Sequence, residues 1–233
     1  MRKWESKANS RLFLCFFLYF LMIACHISKI ELPSPGEKIE SIEGYASLQI
    51  YGTKRSTKSR FTFYFDLPSR GYVEASDFLG RTLYKIIFSK EEAFFILPRE
   101  KMFCKGREEE IIFNLIRLRL TLEEIFNLLS GEWKSIHNQS SEESREWVLG
   151  EDEKGRIVSG IKGDLGFEVK EFFGKTNFVK MLVFYSGENR GRMKVLSLSL
   201  NKPLSKPIFS LDFLKTYEMK TWDEIEEILG IEN

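Results

Sequence analysis

Hydrophobic and polar positions alternate in short, closely spaced stretches along much of the chain. In the first half these stretches are rich in aromatic and β-branched residues and are separated by turn residues, which is typical of β-strands. Strands that follow one another at such short intervals predict an antiparallel meander. The six strands predicted here are Tyr45–Tyr51, Arg60–Phe65, Gly71–Ser76, Leu83–Ser89, Ala93–Leu97 and Lys101–Lys105.

The alternation also indicates which side of the predicted sheet is apolar, because successive side chains of a strand point to opposite faces. In the first two strands one face carries mainly polar residues. The other face holds Ala46, Leu48 and Ile50 together with Phe61, Phe63 and Phe65. Three later segments show the same alternation and are predicted strands: Phe167–Phe173, Phe178–Tyr185 and Met193–Leu200. Turns are predicted near Gly174 and from Gly187 to Gly191. We therefore expect a large, curved sheet.

Between the two blocks of strands the hydrophobic period changes to that of a helix. Glu108–Arg117 begins with acidic residues, which suit a helix N-terminus, and carries an apolar stripe. A second helix is predicted from Leu122, after a capping box formed by Thr121 and Glu124, and ends at Gly131. A third short helix is predicted over Trp222–Leu229.

An apolar sheet face must be covered, and the predicted helices are the available cover. The predicted class is therefore α+β, a curved antiparallel sheet covered by short helices. The 21 Phe and 8 Tyr give the interior large, flat side chains, which can form either a solid core or an apolar cavity. The positions expected to line a cavity are Leu48, Ile50, Phe61, Phe63, Phe65, Ile112, Leu115, Ile125, Phe126 and Leu129.

The start of the chain has the pattern of an export signal. An uninterrupted apolar run over Leu12–Ala24 follows a basic beginning and ends at Cys25. The run is shorter than the roughly 20 residues of a membrane span and fits the apolar part of a signal peptide. Residues 21–25 resemble the bacterial lipobox, which implies lipid attachment at Cys25. An ordinary signal and a buried core helix are the alternatives. The predicted organisation is a signal at 1–24, a lipidated tether at 25–39 and one domain at 40–233.

Charge and reactive residues point to binding rather than to catalysis. Lys and Arg number 35 against 34 Asp and Glu, and removal of residues 1–24 leaves 31 against 33, so that no basic excess favours nucleic acid. Cys104 would be the sole remaining thiol, and His26 and His137 are too few for a histidine metal site. The runs of glutamate are typical of solvated helix faces. We therefore expect no catalytic residues, no metal and no cofactor.

Several segments of the chain resemble the outer-membrane lipoprotein receptor LolB and its soluble periplasmic relative, the carrier LolA. They are Glu74–Leu83 (EASDFLGRTL), Glu108–Ile112 and Leu122–Gly131, and the resemblance extends over most of residues 40–200. It implies an incomplete antiparallel β-barrel closed by helices, with an apolar cavity that receives acyl chains of lipoproteins. Receptors of this kind are themselves lipoproteins, so Cys25 favours the receptor over the carrier. His26 in place of a retention aspartate implies the outer membrane, periplasmic face.

The resemblance also assigns a role to one loop. In the receptors a loop between two early strands exposes a leucine that helps to deliver lipoproteins into the membrane, and Leu79, next to Phe78, matches that position. The alternative is a purely structural role, in which both side chains pack against the end of a hairpin. The implied partners are acyl chains of lipoproteins or other lipids and a carrier of the LolA type, and we expect a monomer. A structural or interaction lipoprotein with a filled core is the competing hypothesis.

Overall fold

The structure is a computed structural model, and it describes residues 30–31, 38–51, 56–66, 70–77, 79–90, 92–133, 147–203 and 207–229. The strands are β1 (Ile30–Glu31), β2 (Ser41–Tyr51), β3 (Ser56–Asp66), β4 (Arg70–Ser76), β5 (Thr82–Ser89), β6 (Glu92–Leu97), β7 (Met102–Arg107), β8 (Val148–Glu151), β9 (Ile157–Lys162), β10 (Leu165–Phe172), β11 (Val179–Ser186), β12 (Asn189–Leu200) and β13 (Glu218–Met219). The helices are α1 (Glu108–Ile116), α2 (Leu122–Ser130) and α3 (Trp222–Leu229).

One sheet contains all the described strands. Its order is β13-β7-β6-β5-β4-β3-β2-β12-β11-β10-β9-β8, and β1 pairs with β12. Two antiparallel meanders, β2 to β7 and β8 to β12, are thus joined side by side where β2 pairs with β12 along ten registered residues. In the described chain β13 and β8 end the order without pairing with each other. The fold is an open, incomplete barrel of class α+β, as predicted.

The nine strands predicted from alternation are all present, with ends shifted by a few residues. Of the four strands that were not predicted, β1 and β13 have two residues each, and the longer ones are β8 and β9. They contain Gly150 and Gly160, and glycine weakens the strand signal because it has no side chain to pack. Residues 30–31, inside the predicted tether, pair in parallel with Leu198 and Ser199 of β12.

The helices begin and end as their sequences indicate. At the start of α2 the Thr121 hydroxyl accepts from the Glu124 amide at 3.1 Å, and the Glu124 carboxylate accepts from the Thr121 amide at 2.9 Å. Its C-cap, Gly131, has φ +74°. The C-cap of α1, Arg117, also adopts a left-handed conformation. None of the described helices is long and apolar enough to cross a membrane.

The main core lies between the concave face of the sheet and the helices. Phe63, Phe95 and Ile42 are among its most buried side chains, and Ile225 adds α3 to the same cluster. Cys104 also belongs to this core, where it packs as a small buried hydrophobic side chain. Burial raises the pKa of its thiol to about 11, so the thiol is neutral and unreactive at ordinary pH.

The opposite, convex face is not polar throughout, which the alternation pattern did not indicate. On β5 and β6, Ile87 and Ile96 form a second apolar cluster with Leu214. The covering residues come from the segment 207–217, where the Phe209 ring packs against Tyr64 at 5.9 Å. The chain then forms β13, which pairs with β7, and continues into α3, which packs on the concave side. The C-terminal segment therefore wraps one edge of the sheet.

Replacing Gly131 with alanine should destabilise the fold by about 1–3 kcal/mol, because a left-handed residue would gain a Cβ. That Cβ would lie 2.6 Å from the Asn177 carbonyl oxygen, so the packing of α2 against the β10–β11 turn must also shift. Gly174→Ala is the control, since its φ is +54° and nothing lies within 4 Å of the added carbon. Thermal unfolding should show the larger loss at position 131, and equal losses would contradict this packing.

Candidate functional site: an apolar cavity under the helices

A cavity of about 150 Å³, partly open to solvent, lies between the concave face of the sheet, the helices α1 and α2 and the linker that joins them. Both meanders contribute to its walls. The lining residues are Leu48, Phe61, Phe63, Phe65, Val73, Tyr84, Ile86, Phe88, Ile112, Leu115, Ile116, Leu118, Leu120, Leu122, Ile125, Leu128, Leu129, Trp147, Leu165, Phe167, Leu182, Phe184 and Met193.

Most of the positions expected to line a cavity do so. The structure brings together Leu48, Phe61, Phe63, Phe65, Ile112, Leu115, Ile125 and Leu129. Ile50 and Phe126 are not in the wall. Phe126 is buried in the core instead, and Ile50 is half-buried and packs against that core near the end of β2.

The wall formed by the second meander was not predicted from the sequence. Leu165 and Phe167 on β10 alternate inward, as do Leu182 and Phe184 on β11. Their alternation was recognisable, but assigning them to the same cavity as β3 requires knowledge that β12 pairs with β2. That pairing joins residues about 150 positions apart, and no local pattern indicates it.

Three glycines help to keep the cavity open. Gly44, Gly160 and Gly191 are registered opposite or beside the wall residues Phe63, Phe167 and Phe184. A Cβ added at any of them would lie 2.4 Å or less from the neighbouring ring. Since the rings lie across the glycines, they cover the sheet instead of projecting into the space under the helices.

The wall contains few polar atoms, and these are paired. The Tyr84 hydroxyl interacts with Ser59, and burial raises the pKa of this phenol, which stays neutral. The Trp147 Nε1 donates to the Glu124 carboxylate at 2.7 Å, and the Lys162 ammonium lies 2.5 Å from the same oxygen. Glu124 thus caps α2 and also ties that helix to β9 and to Trp147. A ligand in the cavity would meet hydrocarbon and aromatic surface.

The cavity volume limits the size of the ligand that can bind without rearrangement of the protein. An engineered cavity of about this size in another protein, lined by Leu, Ile and Phe, stays dry and takes up benzene. The space therefore accommodates a short hydrocarbon segment. A long acyl chain requires the half-buried parts of the cover, including Leu115, Ile116 and Ile125, to move outward.

The predicted membrane loop is a tight hairpin between β4 and β5. The Asp77 carboxylate accepts from the amides of Leu79 and Arg81 at 2.8 and 2.9 Å, and Gly80 adopts φ +77°. The backbone hydrogen bond from Arg81 is the main cause that lowers the pKa of Asp77. Leu79 is 64% exposed, so it does not pack the end of the hairpin. Phe78 lies outside the described residues.

Other candidate groups lie outside the described part of the chain. These are Cys25, His26 and His137. In the ranges that the structure describes, no group of three or more His, Cys, Asp or Glu side chains is placed to hold a metal ion.

Comparison with solved structures identifies the class of fold. A LolA superfamily protein from Nitrosomonas europaea is similar with a TM-score of 0.51 at 8% identity, covering 75% of this chain and 91% of that one. A DUF1329 family protein from Desulfovibrio piger is similar with a TM-score of 0.51 at 11% identity, covering 76% and 92%. The chain thus has a LolA-like fold. No protein-family model matches the sequence, and no curated protein matches it significantly.

Proposed function

We propose that this protein binds acyl chains of lipoproteins in the cavity and helps to localise those lipoproteins to the outer membrane, in the manner of LolB. The observation that carries the proposal is the apolar cavity under two short helices. The LolA-like fold supports it. The chemistry needed is binding and transfer, so we propose no catalytic role and no cofactor.

The proposed location is the periplasmic face of the outer membrane, with the protein anchored through a lipid on Cys25. The lipobox-like residues 21–25 and His26 support this placement. A membrane-anchored protein is better placed than a soluble carrier to accept lipoprotein cargo at the membrane. A periplasmic carrier of the LolA type is the proposed partner that supplies the cargo to this protein, which acts as a monomer.

The energetics explain why transfer would require a cavity. Each buried methylene contributes about 0.8 kcal/mol, so releasing a chain of about sixteen carbons into water would cost on the order of 12 kcal/mol. The cargo must therefore pass between two apolar sites. The exposed Leu79 would contact the membrane while the α1–α2 cover opens.

The competing proposal is a structural or interaction lipoprotein whose core stays filled. One observation favours it, because a cavity of about 150 Å³ holds only part of a long chain as it stands. A binder of a shorter or different lipid is compatible with the same volume. The two proposals differ in whether the protein takes up an acyl chain.

The deciding experiment is binding of a fluorescent fatty-acyl probe to the purified chain. For this measurement the protein is made without residues 1–24 and with Cys25→Ser, which removes the apolar run and the proposed site of lipid attachment, and we call this the soluble form. Saturable binding at one site per chain is expected. A folded soluble form that binds neither the probe nor an acylated lipoprotein would exclude the proposal.

A further inference from the structure

Five exposed cations lie together on the convex face of the sheet, where β3, β2 and β12 run side by side. Paired residues of an antiparallel sheet point to the same side. Lys58 and Arg192 flank Gln49, and Arg60 and Lys194 flank Ser47. Arg190, paired with Tyr51, completes the group. We call Lys58, Arg60, Arg190, Arg192 and Lys194 the basic face.

The charge of the basic face is not neutralised by its neighbours. On β3, β2 and β12 the registered rows Ser56–Tyr51–Arg190, Lys58–Gln49–Arg192 and Arg60–Ser47–Lys194 contain no acidic residue. Two of these rows reach an acidic residue, Glu168 or Glu171, only on β10, beyond β11. Within the described part of the chain, no salt bridge involves any of the five cations. Elsewhere on the sheet exposed cations are paired, as Lys105 is with Glu92 at 2.7 Å. A face of this kind fits an anionic partner.

Exposed apolar side chains extend the basic face along one row of the sheet. Tyr51 pairs with Arg190, which pairs with Tyr185, and Tyr185 pairs with Gly166. The same row continues through Ile161 to Val148, which is 74% exposed. Tyrosine beside cations is the composition found where proteins meet lipid headgroups.

The surrounding geometry points to a membrane as that partner. Ser76, beside Arg60 in the sheet, leads directly into the hairpin that exposes Leu79. β1 runs parallel to β12, so the chain enters β1 from the end where Arg190 lies. Ile30 follows Cys25 by five positions, a distance of at most about 17 Å along an extended chain, enough to bring a lipid anchor beside Lys194.

We propose that the basic face docks on the anionic headgroups of a phospholipid surface, with Tyr51 and Tyr185 at the headgroup level. The inference rests on the proposed function in taking the protein to be membrane-anchored. It adds an orientation, in which Leu79 and the anchor meet the same bilayer as the basic face. The net charge of about −2 after removal of residues 1–24 makes this a local attraction.

The test is sedimentation of the soluble form with vesicles of phosphatidylcholine, with or without phosphatidylglycerol. Binding is expected only to the anionic vesicles and should weaken at high salt. Each cation near such a surface contributes about a fivefold gain in partitioning, so Arg190→Gln with Arg192→Gln should reduce binding about 30-fold. The control is Lys154→Gln with Lys175→Gln, exposed positions in the turns at the opposite ends of the strands, and it should bind as the unaltered soluble form does.

Three results would overturn the docking proposal: no binding to anionic vesicles, equal binding to both vesicle types, or equal losses in the two double variants. Thermal unfolding verifies that each variant is folded. The acyl probe separates this proposal from the proposed function, because Arg190→Gln with Arg192→Gln should leave probe affinity unchanged. Vesicle binding with no probe uptake would contradict the cavity function and support docking.

Discussion

Replacing Val73 with tryptophan is expected to reduce the affinity for an acyl probe by at least about 15-fold. Val73 is half-buried on β4, between Phe63 of β3 and Ile86 of β5, and it lines the cavity. An indole at this position would occupy space otherwise available to the ligand. Exclusion of two methylene groups, at about 0.8 kcal/mol each, accounts for the predicted factor.

The matched control is Val183→Trp. Val183 is also half-buried on a strand but pairs with Arg192 on the convex side, away from the cavity. Titration of the probe should show a loss for Val73→Trp and little change for Val183→Trp. Overpacking can cost about 1–3 kcal/mol of stability, so both variants are compared well below their unfolding temperatures. Unchanged affinity in folded Val73→Trp would mean that the probe binds elsewhere.

Changing Leu79 to glutamate should reduce delivery of a bound lipoprotein to liposomes by about tenfold or more, with cargo capture unchanged. Leu79 is not a cavity residue, and the amides of its hairpin are held by Asp77. Burying a leucine side chain in a membrane gains about 1.5–3 kcal/mol, and a carboxylate would oppose insertion. The measurement is transfer from the soluble form to vesicles, with probe binding recorded in parallel.

Met219→Glu provides the control for this prediction. Met219 is 66% exposed, nearly the same as Leu79, but it lies on the edge strand β13, which β7 and β6 separate from the β4–β5 hairpin. The Met219→Glu variant should transfer cargo normally, since that edge of the sheet has no proposed membrane contact. Equal transfer by Leu79→Glu and by the unaltered protein would remove the proposed role of the hairpin.

Local patterns were sufficient to predict most of the elements. Alternation located nine strands, and the Thr121–Glu124 capping box with Gly131 located α2, because these signals depend on residues a few positions apart. The apolar set on β2 and β3 followed from the same period. Eight of the ten expected cavity positions line the observed cavity.

The features that were not predicted depend on pairing across the chain. The wall from β10 and β11 becomes part of the cavity only because β12 pairs with β2. Gly191 makes room for Phe184 only in the observed register. The cluster of Ile87, Ile96 and Leu214 required knowledge that residues 207–217 turn back over the convex face. The dual role of Glu124 likewise depends on Trp147, which lies 23 residues away.

An acyl chain bound in the cavity would lie beside Trp147, so brominated palmitate should quench the fluorescence of that residue. After removal of residues 1–24, Trp133, Trp147 and Trp222 remain. Trp133→Phe with Trp222→Phe leaves Trp147 in the cavity wall as the sole emitter. Trp133→Phe with Trp147→Phe leaves Trp222, which packs against Phe95 outside that wall.

We expect saturable quenching of Trp147 by the brominated chain and little quenching of Trp222. Unbrominated palmitate should compete and restore the emission of Trp147. Folded protein in which Trp147 is not quenched, or in which both tryptophans are quenched alike, would show that the acyl chain does not bind in this cavity.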